Sequence, residues 1–438
     1  MRSFKSYAVA VLFLASCATD EEGKDNGILV TSEEQTNMRT PAEAMQIAQG
    51  AVSIFDDGPI QKSTGENNHL PRTIDYADGV KCITASQAVP SCGDTLMYVV
   101  NYTDNQGFAV VSASRNTEEL LAVTENGHYN PDGTTIDNPG FRMFMEMAED
   151  YVSNAIRRRP PGDKDTTRRD TFGLGFKVFM WDTTYTKVQI PPKITVAWGQ
   201  ENPEGRFCPN HIAGCVNTAA AQAMTYFRHP KSLQLTYAGR DSSSVTLDWD
   251  RICTHKKSAN WSALVNNDDC SDYAHRMIAY LCRQLGQLSN SDYSNSNQTG
   301  ATFDGLRTSL MKLGYTVSNI SDYATECCLQ PLKENKLILM GGFMVDGEGN
   351  KVGHMWVVDG CDYIKMNVHT YLIDPSNPLV PREDRGITTT SIKKMNYINW
   401  GWCGDANGYF DDGVFKITTM FSEVNYGTDV KYITIYHE

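Results

Sequence analysis

The stretch Gly214-Cys215-Val216-Asn217-Thr218-Ala219-Ala220-Ala221-Gln222-Ala223-Met224-Thr225-Tyr226-Phe227, closed by Arg228-His229-Pro230, carries the most information in the chain. Val216, Ala219, Ala220, Ala223, Met224 and Phe227 recur at helical spacing, and Pro230 stops the run. The spacing predicts a helix that begins at Cys215. Unpaired N–H groups and the helix dipole at such a start favour negative charge, so a thiolate is stabilised there. Gly214 lets a substrate backbone come close. A small buried cysteine at a helix start is the structural alternative, and for an isolated cysteine it is the commoner case.

Three other segments change that balance. Gly353-His354-Met355-Trp356-Val357-Val358-Asp359-Gly360 places a histidine at the head of an apolar strand, 139 residues after Cys215. A sulfur nucleophile needs a base that takes its proton and returns it to the leaving amine, and imidazole titrates in the useful range. Tyr397-Ile398-Asn399-Trp400-Gly401-Trp402 supplies an amide oxygen, Asn399, able to accept the second imidazole proton, and indoles able to shield that bond from water. Trp198-Gly199-Gln200 supplies a side-chain amide which, with the Cys215 N–H, forms a pair of donors for an oxyanion. Structural alternatives exist for each: a satisfied histidine, an aromatic turn, a surface glutamine. Cys208, His211 and Cys215 also have short metal-ligand spacing, but no fourth ligand is evident.

The chain has 438 residues and a net charge of −13, with 41% hydrophobic residues. That composition excludes disordered and membrane-embedded classes, and without a basic stripe it disfavours nucleic-acid partners. Arg2 and Lys5 precede a short apolar run, Tyr7 to Leu14, and Leu14-Ala15-Ser16-Cys17 resembles a bacterial lipobox. The run is too short to span a bilayer. Export follows, to the bacterial cell envelope or outer surface, with membrane contact only through a lipid anchor at Cys17. Eleven cysteines remain after Cys17 in an exported chain, an odd number that leaves at least one thiol unpaired. Cys82 and Cys92 have the spacing to close a small loop.

The organisation expected is a signal peptide at 1–17, a flexible tether at 18–40, an N-terminal block at 41–156, a basic linker at 157–175 and a C-terminal block at 176–438. Helices are predicted at Ala42 to Phe55 and Phe141 to Ile156, with strands at Leu96 to Tyr102 and Phe108 to Ser112 joined as a hairpin, and another strand at Leu120 to Val123. The linker holds six basic residues, including Arg157-Arg158-Arg159, against Asp163 and Asp165. With Pro160-Pro161-Gly162 it reads as an exposed segment open to proteolysis. In the C-terminal block, Lys336 to Phe343, His354 to Val358 and Val414 to Ile417 read as strands. Helices followed by strands indicate an α+β class.

Trp198-x-Gln200-x-x-Pro203, Cys208-Pro209, the Gly214-Cys215 helix through Gln222, Met224 and Pro230, Gly353-His354-x-Trp356-Val357-Val358-Asp359-Gly360, Ile398-Asn399-Trp400-Gly401-Trp402 and Asn407-Gly408-Tyr409-Phe410 together resemble the streptopain family of papain-fold cysteine peptidases. The Cys-to-His interval also lies in the papain-like range. The N-terminal block resembles that family's inhibitory propeptide, through the helix near Ala42, Tyr98-Val99-Val100-Asn101 and Gly107-Phe108-Ala109-Val110-Val111-Ser112. The resemblance implies a papain-like catalytic domain, a helical part plus an antiparallel sheet, behind a small α+β propeptide domain. It implies a cysteine endopeptidase made as a zymogen, with Cys215 as nucleophile, His354 as base, Gln200 at the oxyanion, and Asn399 or Trp400 orienting the histidine. Polypeptide substrates and the chain's own propeptide are the implied partners, and no metal or organic cofactor is implied. Three departures stand out: Cys403 in place of glycine, Glu204-Gly205 in place of Tyr-Asn, and a longer stretch from Tyr363 to Met395, expected as an extra hairpin or lid. The alternative function is a catalytically dead papain-fold surface lipoprotein that binds glycan or peptide, its 7 Trp and 21 Tyr giving stacking surface.

Overall fold

The computed structural model describes residues 38–56, 72–75, 80–84, 95–130, 138–157, 178–237, 240–257, 272–345, 351–374, 377–416 and 430–438. The lipobox, the tether up to residue 37, the basic linker from residue 158 to 175 and Cys92 lie outside these residues.

The N-terminal block folds as α1 (Pro41–Ala51), α2 (Ser53–Asp56), β1 (Val80–Thr84), β2 (Thr95–Asn101), β3 (Phe108–Ser112), β4 (Leu120–Thr124) and α3 (Pro139–Arg157). A capping box opens α1: the Glu43 N–H donates to Thr40 Oγ1 at 3.3 Å and the Thr40 N–H donates to Glu43 Oε2 at 2.8 Å. Ala44 and Ala48 then bury one small-residue face against β2 and β3. Asn138 caps α3, its Oδ1 accepting from the Gly140 and Phe141 N–H groups at 3.0 and 3.1 Å.

After β5 (Val178–Ile190), the C-terminal block runs through α4 (Cys215–Phe227), β6 (Ser232–Tyr237), β7 (Arg240–Thr246), α5 (Trp249–Ile252), α6 (Tyr273–Leu288) and α7 (Phe303–Lys312). Then follow β8 (Thr316–Val317), β9 (Ser321–Asp322), α8 (Leu329–Lys333), β10 (Leu337–Val345), β11 (Lys351–Asp374), β12 (Asn377–Asn399), β13 (Gly408–Asp411) and β14 (Lys431–Tyr436). The class is α+β, with helices packed on an antiparallel sheet. Among the described residues no helix is long and apolar enough to cross a membrane.

Strands of both blocks join one sheet, in the order β1-β2-β3-β4-β13-β12-β11-β10-β14-β8, with β5 also on β11 and β9 on β14. The seam is β4 against β13, where Tyr409 faces Val123 and Phe410 faces Ala122. Side chains alternate across the sheet. One face buries Val99, Trp356, Val358, Ile398 and Phe410 under α3, whose Phe144 ring lies 4.8 Å from Phe410. The opposite face buries Met355 and Val357 under α4 and α6, and Tyr397 and Tyr409 under α1.

Two strand expectations were tested by this layout. The stretch from Tyr363 to Met395 is a hairpin of β11 and β12, extended by β5 as a third strand. Of the strand expected over Val414 to Ile417, residues 414–416 are described and are not a strand: 412–415 form a turn, with the Gly413 N–H bonded to Asp411 Oδ1 at 2.9 Å and the Lys416 N–H to the Gly413 carbonyl. Val414 and Phe415 are apolar because they plug the core beneath Trp356, not because they pair with a neighbour.

Candidate active site

Cys215 is the first residue of α4 and is half-buried. The preceding Gly214 has φ +83°, and a Cβ there would lie 2.7 Å from the Thr299 carbonyl oxygen, so the approach to the helix requires glycine. Segment 198–200 is lashed to the same helix. The Trp198 N–H donates to Gln222 Oε1 at 2.8 Å, Thr218 Oγ1 donates to the Gly199 carbonyl at 3.1 Å, and the Ala213 N–H donates to the Gln200 carbonyl at 2.6 Å.

His354 sits on β11 opposite Gly342 of β10 and is buried. Its Nε2 lies 2.8 Å from the main-chain oxygen of Trp400, which leaves Nδ1 as the ring's other functional nitrogen. With Nε2 donating to a carbonyl, the neutral tautomer has Nδ1 free to accept a proton. Trp400 is fully buried, its N–H bonded to Asn407 Oδ1 and its indole N–H to the Ala406 carbonyl, each at 3.0 Å. Asn399 takes a different place from the one expected. Its Nδ2 donates to the Val196 carbonyl and to Gln222 Oε1, and its Oδ1 accepts from the Gly401 N–H at 3.1 Å. The amide oxygen is thus engaged by main chain, and it is the next residue's carbonyl that meets the ring.

Cys215, His354 and Gln200 all open onto one groove of about 690 Å³, which Trp402 and Cys403 also line. A recess of about 270 Å³ leads off Cys215 and His354 over Val216, Ala301, Phe303, Phe343 and Met355. Burial pushes the Cys215 thiol up, against the opposing pull of the Met355 and Val216 N–H groups, and pushes His354 down to about 4, against the bond to Trp400. The helix start alone predicts a depressed thiol; in the uncut chain the loss of water outweighs it. Cys403 is pushed up to about 12 by burial, with Glu204 and Asp405 nearby.

Residues that the site motifs do not contain also face this groove. Pro139 and Arg142, from the first turn of α3, line the same groove. Between them a Cβ on Gly140 would fall 2.4 Å from Trp400 Cε3 and 2.6 Å from His354 Cδ2. Asn138, which caps that turn, also donates from Nδ2 to the Asp405 carbonyl at 2.8 Å. The periodicity showed the helix from Phe141 on; the cap at Asn138 and its contact with a residue 267 positions away were not visible in the sequence.

The metal reading fails on geometry. Cys208 is buried and accepts from the Tyr293 hydroxyl, His211 is exposed with Nδ1 toward the Arg206 carbonyl, and among the described residues no set of three His, Cys, Asp or Glu side chains is placed to hold an ion.

Comparison with known proteins agrees with this architecture. A family model described as the Peptidase C10 family matches residues 198–410, and one described as Spi protease inhibitor matches residues 37–152. Streptopains of Streptococcus pyogenes, among them those of serotype M28 strain MGAS6180 and of serotype M1, are 22% identical over 348 residues, 72% of this chain and 73% of theirs. A mutant fragment of Prevotella intermedia prointerpain A has a similar fold, with TM-score 0.50 and 20% identity, covering 81% of this chain and 97% of that one.

Proposed function

We propose that this chain, whose residues 198–410 match the Peptidase C10 family and whose residues 37–152 match a Spi-type inhibitor, is a cysteine endopeptidase zymogen with Cys215 as its nucleophile and His354 as its general base. The observation that carries this is the shared groove: thiol and imidazole line one cavity, with the imidazole Nε2 fixed by the Trp400 carbonyl.

The reaction follows from that placement. His354 takes the thiol proton, and the Cys215 thiolate attacks a peptide carbonyl to form a tetrahedral intermediate. The Gln200 amide and the Cys215 N–H donate to its oxyanion. Collapse breaks the C–N bond, His354 gives its proton to the departing amine, and a water deprotonated by His354 then hydrolyses the thioester, freeing the acid and restoring the thiol. Trp400 acts through its carbonyl, and Asn399 supports the turn that presents it.

In the uncut chain the first turn of α3 covers the groove and keeps both partners neutral, thiol and imidazole. Cleavage within 157–175 lets the N-terminal block leave, water returns, and the ion pair forms. Met1 to Cys17 acts as a lipoprotein signal that places the chain on the bacterial envelope. The dead-fold alternative is disfavoured, because the family is one of peptidases and the groove keeps both reactive groups.

The test compares processed protein with its Cys215→Ala variant on a denatured polypeptide; equal rates would remove the proposal. Lipidation is tested separately by palmitate labelling, which a Cys17→Ser change should abolish.

A further inference from the structure

Gln222 is fully buried on α4, two turns beyond Cys215. Its Oε1 accepts from the Trp198 N–H at 2.8 Å and from Asn399 Nδ2 at 3.0 Å. One oxygen therefore joins three pieces of chain that are remote in sequence: the helix that starts at Cys215, the segment that carries Gln200, and the turn beyond β12. The last link is the most consequential. Asn399 Oδ1 accepts from the Gly401 N–H, and the Trp400 carbonyl accepts from His354 Nε2. Those two groups belong to the same planar peptide unit. Rotating that plane moves the acceptor away from the imidazole, and Asn399 is what prevents the rotation.

The orientation of the Gln222 amide follows from its partners. Both are donors, so the oxygen must face them, and Nε2 is left buried without a hydrogen-bond partner. An unpaired buried amide group is destabilising. The fold retains it while an apolar residue of that size would avoid it.

We propose that Gln222 is a positioning residue for peptide hydrolysis. It fixes the tilt of the His354 ring through Asn399 and the Trp400–Gly401 peptide, and the register of Gln200 through Trp198. This rests on the assignment of Cys215 and His354 above.

The experiment uses the full chain after maturation, as wild type, Gln222→Leu and Gln222→Glu. Two quantities are measured: kcat and KM on a peptide substrate, and the pH dependence of Cys215 alkylation by iodoacetamide. Leucine removes the acceptor, so kcat should fall about tenfold or more while KM stays within about twofold. The alkylation profile should shift at the same time, since the imidazole loses its fixed acceptor. Glutamate keeps an acceptor oxygen and should restore kcat to within about threefold of wild type. A folded leucine variant with unchanged kcat and profile overturns the proposal, as does a folded glutamate variant as slow as the leucine one. If leucine alone fails to fold, the glutamate comparison decides, and failure of both assigns Gln222 to the core only. Hydrolysis persisting in Cys215→Ala would instead remove the underlying assignment, whatever Gln222 does.

Discussion

His354 takes its orientation from a main-chain oxygen, and that sets how substitutions around it act. Asn399→Ala leaves the Trp400 carbonyl in the chain and loosens only its support, so kcat should drop by roughly tenfold, whereas His354→Ala removes the proposed base and should cost about 10³ or more. Steady-state rates on one substrate separate the two. Gly140→Ala acts in the opposite direction. Its methyl would overlap Trp400 and His354, so the first turn of α3 must lift, which is destabilising by roughly 1–3 kcal/mol. The uncut variant should therefore hydrolyse substrate faster than the uncut wild type. The candidates Cys215, His354 and Gln200, which the structure gathers at one groove, could be picked out because each is a side chain with a chemical reason for its position. Trp400 could be named beside Asn399 as the orienting residue, but its carbonyl as the acceptor could not, since every residue has a carbonyl and no composition marks the one that meets the ring. Gln222 was legible only as a helix residue, because its role depends on two partners from distant segments.

At the level of elements, α3 links the inhibitory and catalytic parts through its cap. Asn138→Ala removes both the cap and the bond to the Asp405 carbonyl. The expected loss is about 1 kcal/mol or somewhat more, seen as a lower unfolding midpoint of the uncut chain and as faster maturation. The amphipathic runs of α1 and α3 could be read from periodicity, because each buries one stripe, whereas α4 was read from its apolar spacing and its proline stop although Val216 to Thr225 are buried all round. Val414 and Phe415 misled because an apolar pair looks the same whether it belongs to a strand or plugs a core from a turn. The β11–β12 hairpin was visible as a long interval; the addition of β5, which follows the linker, needed the pairing of Val178–Ile190 with Cys361–Ile373.

For the whole molecule, the junction between the blocks is acidic and buried. Asp411 on β13 is raised to about 8 by burial first, then by Glu118 of the N-terminal block and by Asp412; the Gly413 N–H and Lys394 oppose this. Tyr151 of α3 also faces it. Asp359 is raised to about 7 by burial, with Glu125 of the N-terminal block adding to the shift, Lys193 opposing it, and the Lys193 and Ile194 N–H groups on its Oδ2. Because these carboxyls titrate higher in the assembled chain than in water, assembly is favoured below the ordinary carboxylate value and weakens as pH rises through about 7 to 8. The unfolding midpoint of the uncut chain should thus fall by several degrees between about pH 6 and pH 9, and Asp411→Asn should flatten that fall. None of this was legible in the sequence, where acidic residues count only toward net charge.

The pairing of β4 with β13 has a consequence for what maturation leaves behind. When the inhibitory part departs, the ladder at Gly408–Phe410 loses its partner strand, and the hydrophobic face that α3 sheltered meets water. The freed fragment carries the matching edge. On the proposed route of maturation, cutting the linker would therefore be insufficient by itself: the two pieces would remain a noncovalent pair able to rejoin, and lasting activity would require that the detached fragment be degraded or diluted below the concentration at which it re-anneals.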